Sequence, residues 1–141
     1  MRACAAGFDM TAQLYAGVAG ATLVLAGIVG FFYSASFGSP GDVDAMFGIF
    51  DVNGWQNVVH ILTGSVGLVA FAAGANAARQ CALGLGAAYL VIAVWGFVTG
   101  AGDSILGIVP VNTTDNVLHL LIGLAGLAAG LAAPENRLDR L

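Results

Sequence analysis

The feature that most limits how this chain can fold is a set of four apolar runs that are nearly free of charge. They cover residues 14–33, 55–75, 82–99 and 116–133, with short connections between them. A helix of about 20 apolar residues crosses the hydrocarbon layer of a membrane, and helices satisfy all their backbone groups there. With 59% hydrophobic and 9% charged residues, the chain lacks the polar surface of a soluble domain. We therefore expect an all-α integral membrane protein with four transmembrane helices in a single membrane domain.

The basic residues predict how the helices are oriented. Arg2 precedes the first run, Arg79 lies between the second and third, and Arg137 and Arg140 follow the fourth. The other two connections contain aspartates and no basic residue. Because positive charge is retained on the cytoplasmic side, we expect a bacterial cytoplasmic membrane protein with both termini cytoplasmic. Acidic outer loops also argue against a nucleic-acid partner.

A stretch of 27 residues is written twice in the chain. Residues 44–70 and 103–129 align without a gap at an offset of 59 positions, with 13 identities that include an aspartate, two asparagines and a histidine. Polar residues kept in register are not what apolar low-complexity sequence produces by chance, so we infer an internal duplication.

The duplicated units predict the arrangement of the helices. Each unit, residues 14–75 and 82–133, contains two spans and an outer loop, and the IVGFF around Gly30 is echoed by VWGFV around Gly96. Units with an even number of spans have the same orientation, so we expect two tandem hairpins related by a pseudo-two-fold axis along the membrane normal. Small residues four positions apart predict closely packed helix faces. Such pairs are Gly96 with Gly100, Ala16 with Gly20, and Ala26 with Gly30.

The first outer loop contains an amphipathic segment. Met46, Phe47, Ile49 and Phe50 are apolar, whereas Asp42, Asp44 and Asp51 are acidic. We expect a short interfacial helix that buries the four apolar side chains in the headgroup region. Asn53, Asn112 and the aspartates Asp44 and Asp103 are expected in turns and helix caps.

Each copy of the repeat carries a narrow stripe of polar and small residues along its helix. Offsets of 0, 3, 7, 10 and 14 residues share one face of a helix. In the second span they hold Asn57, His60, Gly64, Gly67 and Phe71, and in the fourth Asn116, His119, Gly123, Gly126 and Gly130. Such a stripe should face protein and not lipid.

Two interpretations of His60 and His119 stay open. An ionisable residue within a span is a candidate functional site, and two imidazoles from two helices of a bundle are suited to ligate haem b, with Asn57 and Asn116 in support. Alternatively, neutral imidazoles hydrogen-bond between helices, and the asparagines satisfy free N–H groups in the first turns. If the two glycine stripes pack on each other, there is no room for a macrocycle. Two histidines are also an incomplete zinc site.

No catalytic motif is evident in the sequence. No serine or cysteine has a spacing from a histidine that suggests a nucleophile, and paired carboxylates and phosphate-binding loops are missing. Cys4 and Cys81 are expected to be reduced. We therefore expect a non-catalytic accessory subunit or homo-oligomer whose glycines pack helices, the alternative being a haem or metal-binding membrane protein.

The motif N-V-x-H-x-L-x-G-x-x-G-L, preceded by G-I-F-D-V-N, resembles a family of small bacterial membrane proteins known as domain-of-unknown-function family 4383. The resemblance rests on Asn53, Asn57, His60, Gly64 and Gly67 and on their counterparts in the second half. It implies four spans over most of the chain and implies no particular activity.

Overall fold

The computed structural model of the chain describes residues 2–38 and 43–133, with side chains from residue 11 onward. Within these ranges the elements are α1 (Arg2–Gly30), β1 (Asp44–Met46), β2 (Phe50–Val52), α2 (Gly54–Ala73), α3 (Ala75–Thr99), β3 (Ser104–Ile105), β4 (Val109–Pro110) and α4 (Thr113–Ala132). Each helix contains a segment long and apolar enough to cross a membrane. The protein is therefore a multi-pass membrane protein, as its apolar runs predict.

The third helix is longer than the apolar run predicts. It begins at Ala75, so that Gly74, with φ +103°, is the whole connection to α2. Residues 76–81 resemble a loop because Asn76, Arg79 and Gln80 are polar, but polar residues are also suited to a helix end at the membrane surface. The Nε of Arg79 donates a hydrogen bond of 3.1 Å to the carbonyl of Ala133, where a positive charge complements the C-terminus of α4.

The expected interfacial helix in the first outer loop is wrong, because this segment is a β-hairpin. β1 pairs antiparallel with β2, Met46 opposite Phe50, and β3 pairs in the same way with β4. Phe47 and Gly48 take positive φ angles of 55° and 74° between the strands, and Leu106 and Gly107 repeat them at 55° and 72°. Two successive residues at positive φ match the right-handed twist of a hairpin and break a helix. Asp42 lies outside the described residues.

The helices pack in two tight pairs. α1 lies against α2, and α3 lies against α4. Fewer contacts join α1 to α3, α1 to α4 and α2 to α3, and α2 and α4 contact each other least. We call the end of the bundle at which the two β-hairpins lie the hairpin end. The first turns of α2 and α4 begin there.

The two helix pairs use equivalent contacts. A Cβ added to Gly20 would lie 2.8 Å from the carbonyl oxygen of Gly64, and one added to Gly86 would lie 3.0 Å from that of Gly123. Similarly, Gly30 faces the side chain of Asn57 and Gly96 that of Asn116. These equivalent contacts are related by an offset of 66 positions between α1 and α3 and of 59 positions between α2 and α4. The duplication itself stays a prediction from the sequence.

Candidate functional site

The glycine stripes of α2 and α4 pack inside their own helix pairs and do not face each other. Gly64 and Gly67 lie against α1, where a Cβ would come within 2.6 Å and 2.9 Å of the carbonyl oxygens of Gly20 and Ala16. In α4, Gly123 and Gly130 lie against leucines of α3. A macrocycle between the stripes would be excluded if the two stripes packed on each other, and they do not.

One glycine has another role than the sequence predicts, and a second has an additional role. Gly100, expected on a packing face, is the C-cap of α3 at φ +92°, with no atom within 4 Å of an added Cβ. The second, Gly126, packs against α3, where an added Cβ would lie 2.8 Å from the carbonyl oxygen of Ala82. The same Cβ would come within 2.6 Å of the Tyr15 hydroxyl. That hydroxyl donates a hydrogen bond of 3.1 Å to the carbonyl of Ile122, so Gly126 admits a link between α1 and α4.

Asn57 holds two helix ends together, Asn116 packs its side chain against Gly96, and the caps are made by other asparagines. Asn53 Oδ1 accepts the N–H of Gln56 at 2.9 Å, and Asn112 Oδ1 accepts that of Asp115 at 2.7 Å, as expected for N-cap residues. Asn57 is completely buried, and its Nδ2 donates to the carbonyl of Ser34 at 2.8 Å. It therefore fixes the end of α1 against the start of α2.

The N-cap asparagines also join the two hairpins. Asn53 Nδ2 donates to the carbonyl of Ile108 at 2.6 Å, and Asn112 Nδ2 donates to that of Ile49 at 3.1 Å. Asn53 and Asn112 are 59 positions apart, and so are Ile49 and Ile108. A third bond, from the N–H of Asp51 to Asp115 Oδ2 at 3.1 Å, lies beside them.

His60 and His119 lie next to each other just inside this layer of hydrogen bonds. Their ring centroids are 6.3 Å apart and their planes are inclined at 75°. Neither imidazole hydrogen-bonds to another described residue, and Nδ1 of the buried His119 has no partner. The ring of Tyr89 lies 5.3 Å from that of His119, and the Tyr89 and Thr63 hydroxyls are 3.4 Å apart. Among the described residues, neither histidine hydrogen-bonds to another helix, and both sequence interpretations of the histidines stay predictions.

A cleft of about 750 Å³ runs between α1 and α4 and is covered at the hairpin end by the first hairpin. Apolar side chains form most of its wall. The residues that border it are Thr11, Leu14, Tyr15, Val18, Ala19, Thr22, Leu23, Ala26, Met46, Phe50, Val52, Gln56, His60, Asp115, Leu118, His119, Leu121, Ile122, Ala125 and Ala129.

Four polar side chains of the cleft lie together at its hairpin end, and the other three, Thr11, Tyr15 and Thr22, lie along α1. Gln56 and His60 come from the first turns of α2, and Asp115 and His119 from those of α4. Gln56 is 2% exposed and Asp115 4%. Oε1 of Gln56, like Nδ1 of His119, has no hydrogen-bond partner within the described chain. The cleft is thus an apolar channel with unsatisfied polar groups at one end.

The polar atoms without partners at this end would gain from a bound molecule. In the described part of the chain, no three His, Cys, Asp or Glu side chains lie close enough together to hold a metal ion. Buried polar atoms without partners are costly, at about 1–3 kcal/mol each. A molecule that supplied partners for Gln56 and His119 would recover part of that cost.

The sequence reasoning identified the histidines of the site and missed Gln56, Asp115 and Tyr15 as parts of it. Gln56 and Asp115 are equivalent positions of the repeat, each directly before an asparagine that was singled out. Because this position is glutamine in one copy and aspartate in the other, the identities between the copies do not reveal it. No local signal marks Tyr15, because its role depends on the packing of α1 against α4.

Comparison with known proteins places the chain in a family. Neither the curated proteins nor the solved structures include a match to it. The profile of the family described as domain of unknown function DUF4383 matches residues 13–132, which contain all of α2, α3 and α4 and both hairpins. The chain therefore belongs to the DUF4383 family.

Proposed function

We propose that this protein binds an amphiphilic molecule of the bilayer in the cleft between α1 and α4 and catalyses no reaction on it. The observation that carries the proposal is the cleft of about 750 Å³ with Gln56, His60, Asp115 and His119 together at one end. Ligand sites commonly enclose about 300–1,000 Å³ and combine apolar walls with a few polar groups that fix orientation. The apolar part of the ligand would lie along α1 and α4, and its polar head would contact the histidines.

The sides of the cleft support entry from the membrane. Leu14 and Val18 of α1 are 65% and 57% exposed, and Leu121 of α4 is 59% exposed, although all three border the cleft. In a transmembrane helix such exposed apolar side chains contact lipid, so the opening between them leads into the hydrocarbon layer. A lipid-soluble ligand would reach the site without crossing water.

The proposal includes an orientation in the membrane. We propose a bacterial cytoplasmic membrane with both termini cytoplasmic, because the basic residues of the sequence lie before α1, near the start of α3 and after α4. The polar end of the cleft is then near the outer surface. A ligand head would lie at the depth of the lipid headgroups.

Probes with a pyrene label on a long alkyl chain test the cleft. They carry an alcohol, methyl ether, carboxylate or ammonium head and are added to the protein in phosphatidylcholine nanodiscs. Binding is measured as energy transfer from tryptophan to pyrene. We expect a saturable signal with at least one head, above the linear background of probe dissolved in the lipid. Saturation with none of the probes would overturn the proposal.

Two substitutions on α4 separate the cleft from the rest of the lipid-facing surface. Ala125 borders the cleft and Ala128 does not, and both are exposed. Because overfilling a packed space costs about 1–3 kcal/mol, Ala125→Phe should weaken binding about tenfold. Ala128→Phe is the matched control and should bind as the unchanged protein does. Equal loss in both variants would contradict binding in the cleft.

Haem b binding is the second candidate function, and the placement of the histidines favours it. His60 and His119, on two helices of the bundle, are the residues that would hold the haem iron. The centroids of His60 and His119 are 6.3 Å apart. Haem requires only these two protein ligands, which is consistent with the lack of a third.

An absorption spectrum tests the haem candidate. After expression with sufficient haem supply, the purified protein should have a Soret band that is lost in His60→Ala and in His119→Ala. Asn76→Ala, at the opposite end of the bundle, is the control and should keep the band. A colourless preparation would overturn haem binding and leave the amphiphile proposal unaffected.

The accessory-subunit or homo-oligomer role predicted from the sequence stays a proposal with weaker support. It was based on the glycine faces, and Gly20, Gly64, Gly67, Gly86 and Gly123 pack within the chain. They are therefore not available to a partner. Measuring the mass of the protein in mild detergent tests this role, and a strict monomer that co-purifies with no partner would contradict it.

A further inference from the structure

We infer that the head of the bound molecule is an uncharged group that donates a hydrogen bond, such as a hydroxyl. The inference rests on the proposed function, since it concerns the ligand of the same cleft. It is argued from Gln56, the histidines and the charges at the polar end.

Gln56 provides an acceptor that its own helix does not use. It is the third residue after the N-cap Asn53, the position from which a glutamine side chain can return to the N-cap backbone in a capping box. The backbone N–H of Gln56 completes one half of this pattern by donating to Asn53 Oδ1 at 2.9 Å. Its Oε1 makes no hydrogen bond, although the residue is only 2% exposed and borders the cleft. A buried amide oxygen in this state requires a donor.

The imidazoles complete the requirement for a small polar head. Nδ1 of His119 has no partner, and the ring of His60 contacts that of His119 without a hydrogen bond to the described chain. A neutral imidazole has one donor nitrogen and one acceptor nitrogen. A hydroxyl both donates and accepts, so a single hydroxyl can serve Gln56 and one imidazole together.

The charges at this end disfavour an anionic head. The carboxyl group of Asp115 borders the cleft and is 4% exposed, and Asp51 lies next to it through its N–H bond to Asp115 Oδ2. Arg79 is the only arginine with a described side chain, and it is bonded to Ala133 at the opposite end of the bundle. A carboxylate or phosphate at the polar end would therefore have carboxyl neighbours and no described arginine near it, an unfavourable environment in a low dielectric.

These groups together select a class of ligand. An ether or ester head has no donor for Gln56 Oε1, and a fatty acid or phospholipid brings a negative charge. An ammonium head donates, but it cannot accept from an imidazole, and its charge is costly to desolvate between apolar walls. An alcohol or phenol on an apolar chain donates, accepts and is uncharged. The class is thus the uncharged, hydroxyl-bearing amphiphiles.

The pyrene probes test the head group by direct comparison of their dissociation constants. The unchanged protein should bind the alcohol roughly three- to tenfold more tightly than the methyl ether of equal chain length, the range given by one net hydrogen bond. It should bind the carboxylate more weakly than either. This comparison requires no variant and so does not depend on the folding of one.

Gln56→Leu tests whether this residue makes the distinction. The variant should bind the ether as the unchanged protein does and should lose its preference for the alcohol. Gln80→Leu, exposed and distant from the cleft, is the control and should keep the preference.

Each outcome of the comparison has a separate meaning. Equal binding of alcohol and ether, tighter binding of the carboxylate or of the ammonium probe, or a preference that survives in Gln56→Leu would overturn the head-group inference. In all three cases the cleft would still bind a ligand. Equal binding would mean that water serves the polar end.

Discussion

At the scale of single residues, the glycines decide how closely the helices approach. Gly86 and Gly84 lie two positions apart on α3. A Cβ at Gly86 would come within 2.6 Å of the backbone nitrogen of Leu127 on α4, whereas one at Gly84 would have no atom within 4 Å. The substitution Gly→Ala is therefore expected to destabilise the protein at position 86 and not at position 84.

We predict that Gly86→Ala destabilises the protein by about 1–3 kcal/mol, the usual cost of overpacking. The clash is with backbone, so α3 and α4 would have to separate. Gly84→Ala is the matched control and should be neutral or slightly stabilising, because alanine is the better helix former. Urea unfolding in detergent, followed by circular dichroism, measures both, and equal midpoints would contradict the packing at Gly86.

The sequence predicted the packing glycines of α2 and α4 better than it predicted the partners of these glycines. Helical periodicity alone puts Gly64 and Gly67 on one face, and an uninterrupted helix with such a face packs closely against something. Whether that partner is α1 or α4 depends on the connection between helices, which periodicity does not describe. Gly100 lies four positions after Gly96, a spacing that also predicts a packing face, but it follows the last helical residue, Thr99, and so ends the helix.

At the scale of elements, the two hairpins are held together by paired asparagines. Asn53 and Asn112 each have two functions, since Oδ1 caps a helix and Nδ2 donates to the opposite hairpin. Serine at position 53 keeps a capping oxygen, and its side chain is too short to reach the carbonyl of Ile108. It therefore isolates the bond between the hairpins without burying a charge.

We predict that Asn53→Ser lowers the free energy of unfolding by about 1 kcal/mol, because the hydrogen bond to the carbonyl of Ile108 is lost and the helix cap is kept. Asn53→Ala removes both and should cost about 1 kcal/mol more. Unfolding in detergent provides the values. Asn53→Ser as stable as the unchanged protein, with Asn53→Ala still destabilised, would mean that the bond to Ile108 contributes nothing.

The hairpins were not predicted because they are short and their signal resembles that of an amphipathic helix. Met46, Phe47, Ile49 and Phe50 are spaced for one face of a helix, but Met46 and Val52 are the residues that the fold buries. The repeat contains the missing information, since Gly48 and Gly107 align and each follows a large apolar residue. Only Gly readily takes a positive φ, and Phe47 and Leu106 do so here because the turn is closed by strand pairing.

At the scale of the whole molecule, the repeat predicts two equivalent halves but not a cleft on one side only. The offset between α1 and α3 pairs Leu23 with Tyr89, and the offset between α2 and α4 pairs Thr63 with Ile122. Tyr89 is buried, and its hydroxyl meets that of Thr63 between α3 and α2. Leu23 and Ile122 both border the cleft between α1 and α4. The two halves differ in side-chain size and polarity at these positions, and the identities between the two copies do not reveal such differences.

The orientation of the bundle decides from which side the polar end of the cleft is reached, and it gives the last prediction. Phe47 and Leu106 are equivalent turn residues, 66% and 72% exposed, and Gln80 is exposed near the start of α3. Single cysteines at these positions are introduced after Cys4 and Cys81 are changed to serine. Intact bacterial cells are then treated with a membrane-impermeant maleimide.

We predict that Phe47→Cys and Leu106→Cys are labelled in intact cells, and that Gln80→Cys is labelled only after the membrane is opened. The reason is that arginines stay in the cytoplasm while acidic loops cross. Because both turns lie at the hairpin end, they must give the same result. Labelling of Gln80→Cys alone in intact cells would invert the bundle and move the polar end of the cleft to the cytoplasmic side. Labelling of only one of the two turns would contradict the common orientation of the two hairpins.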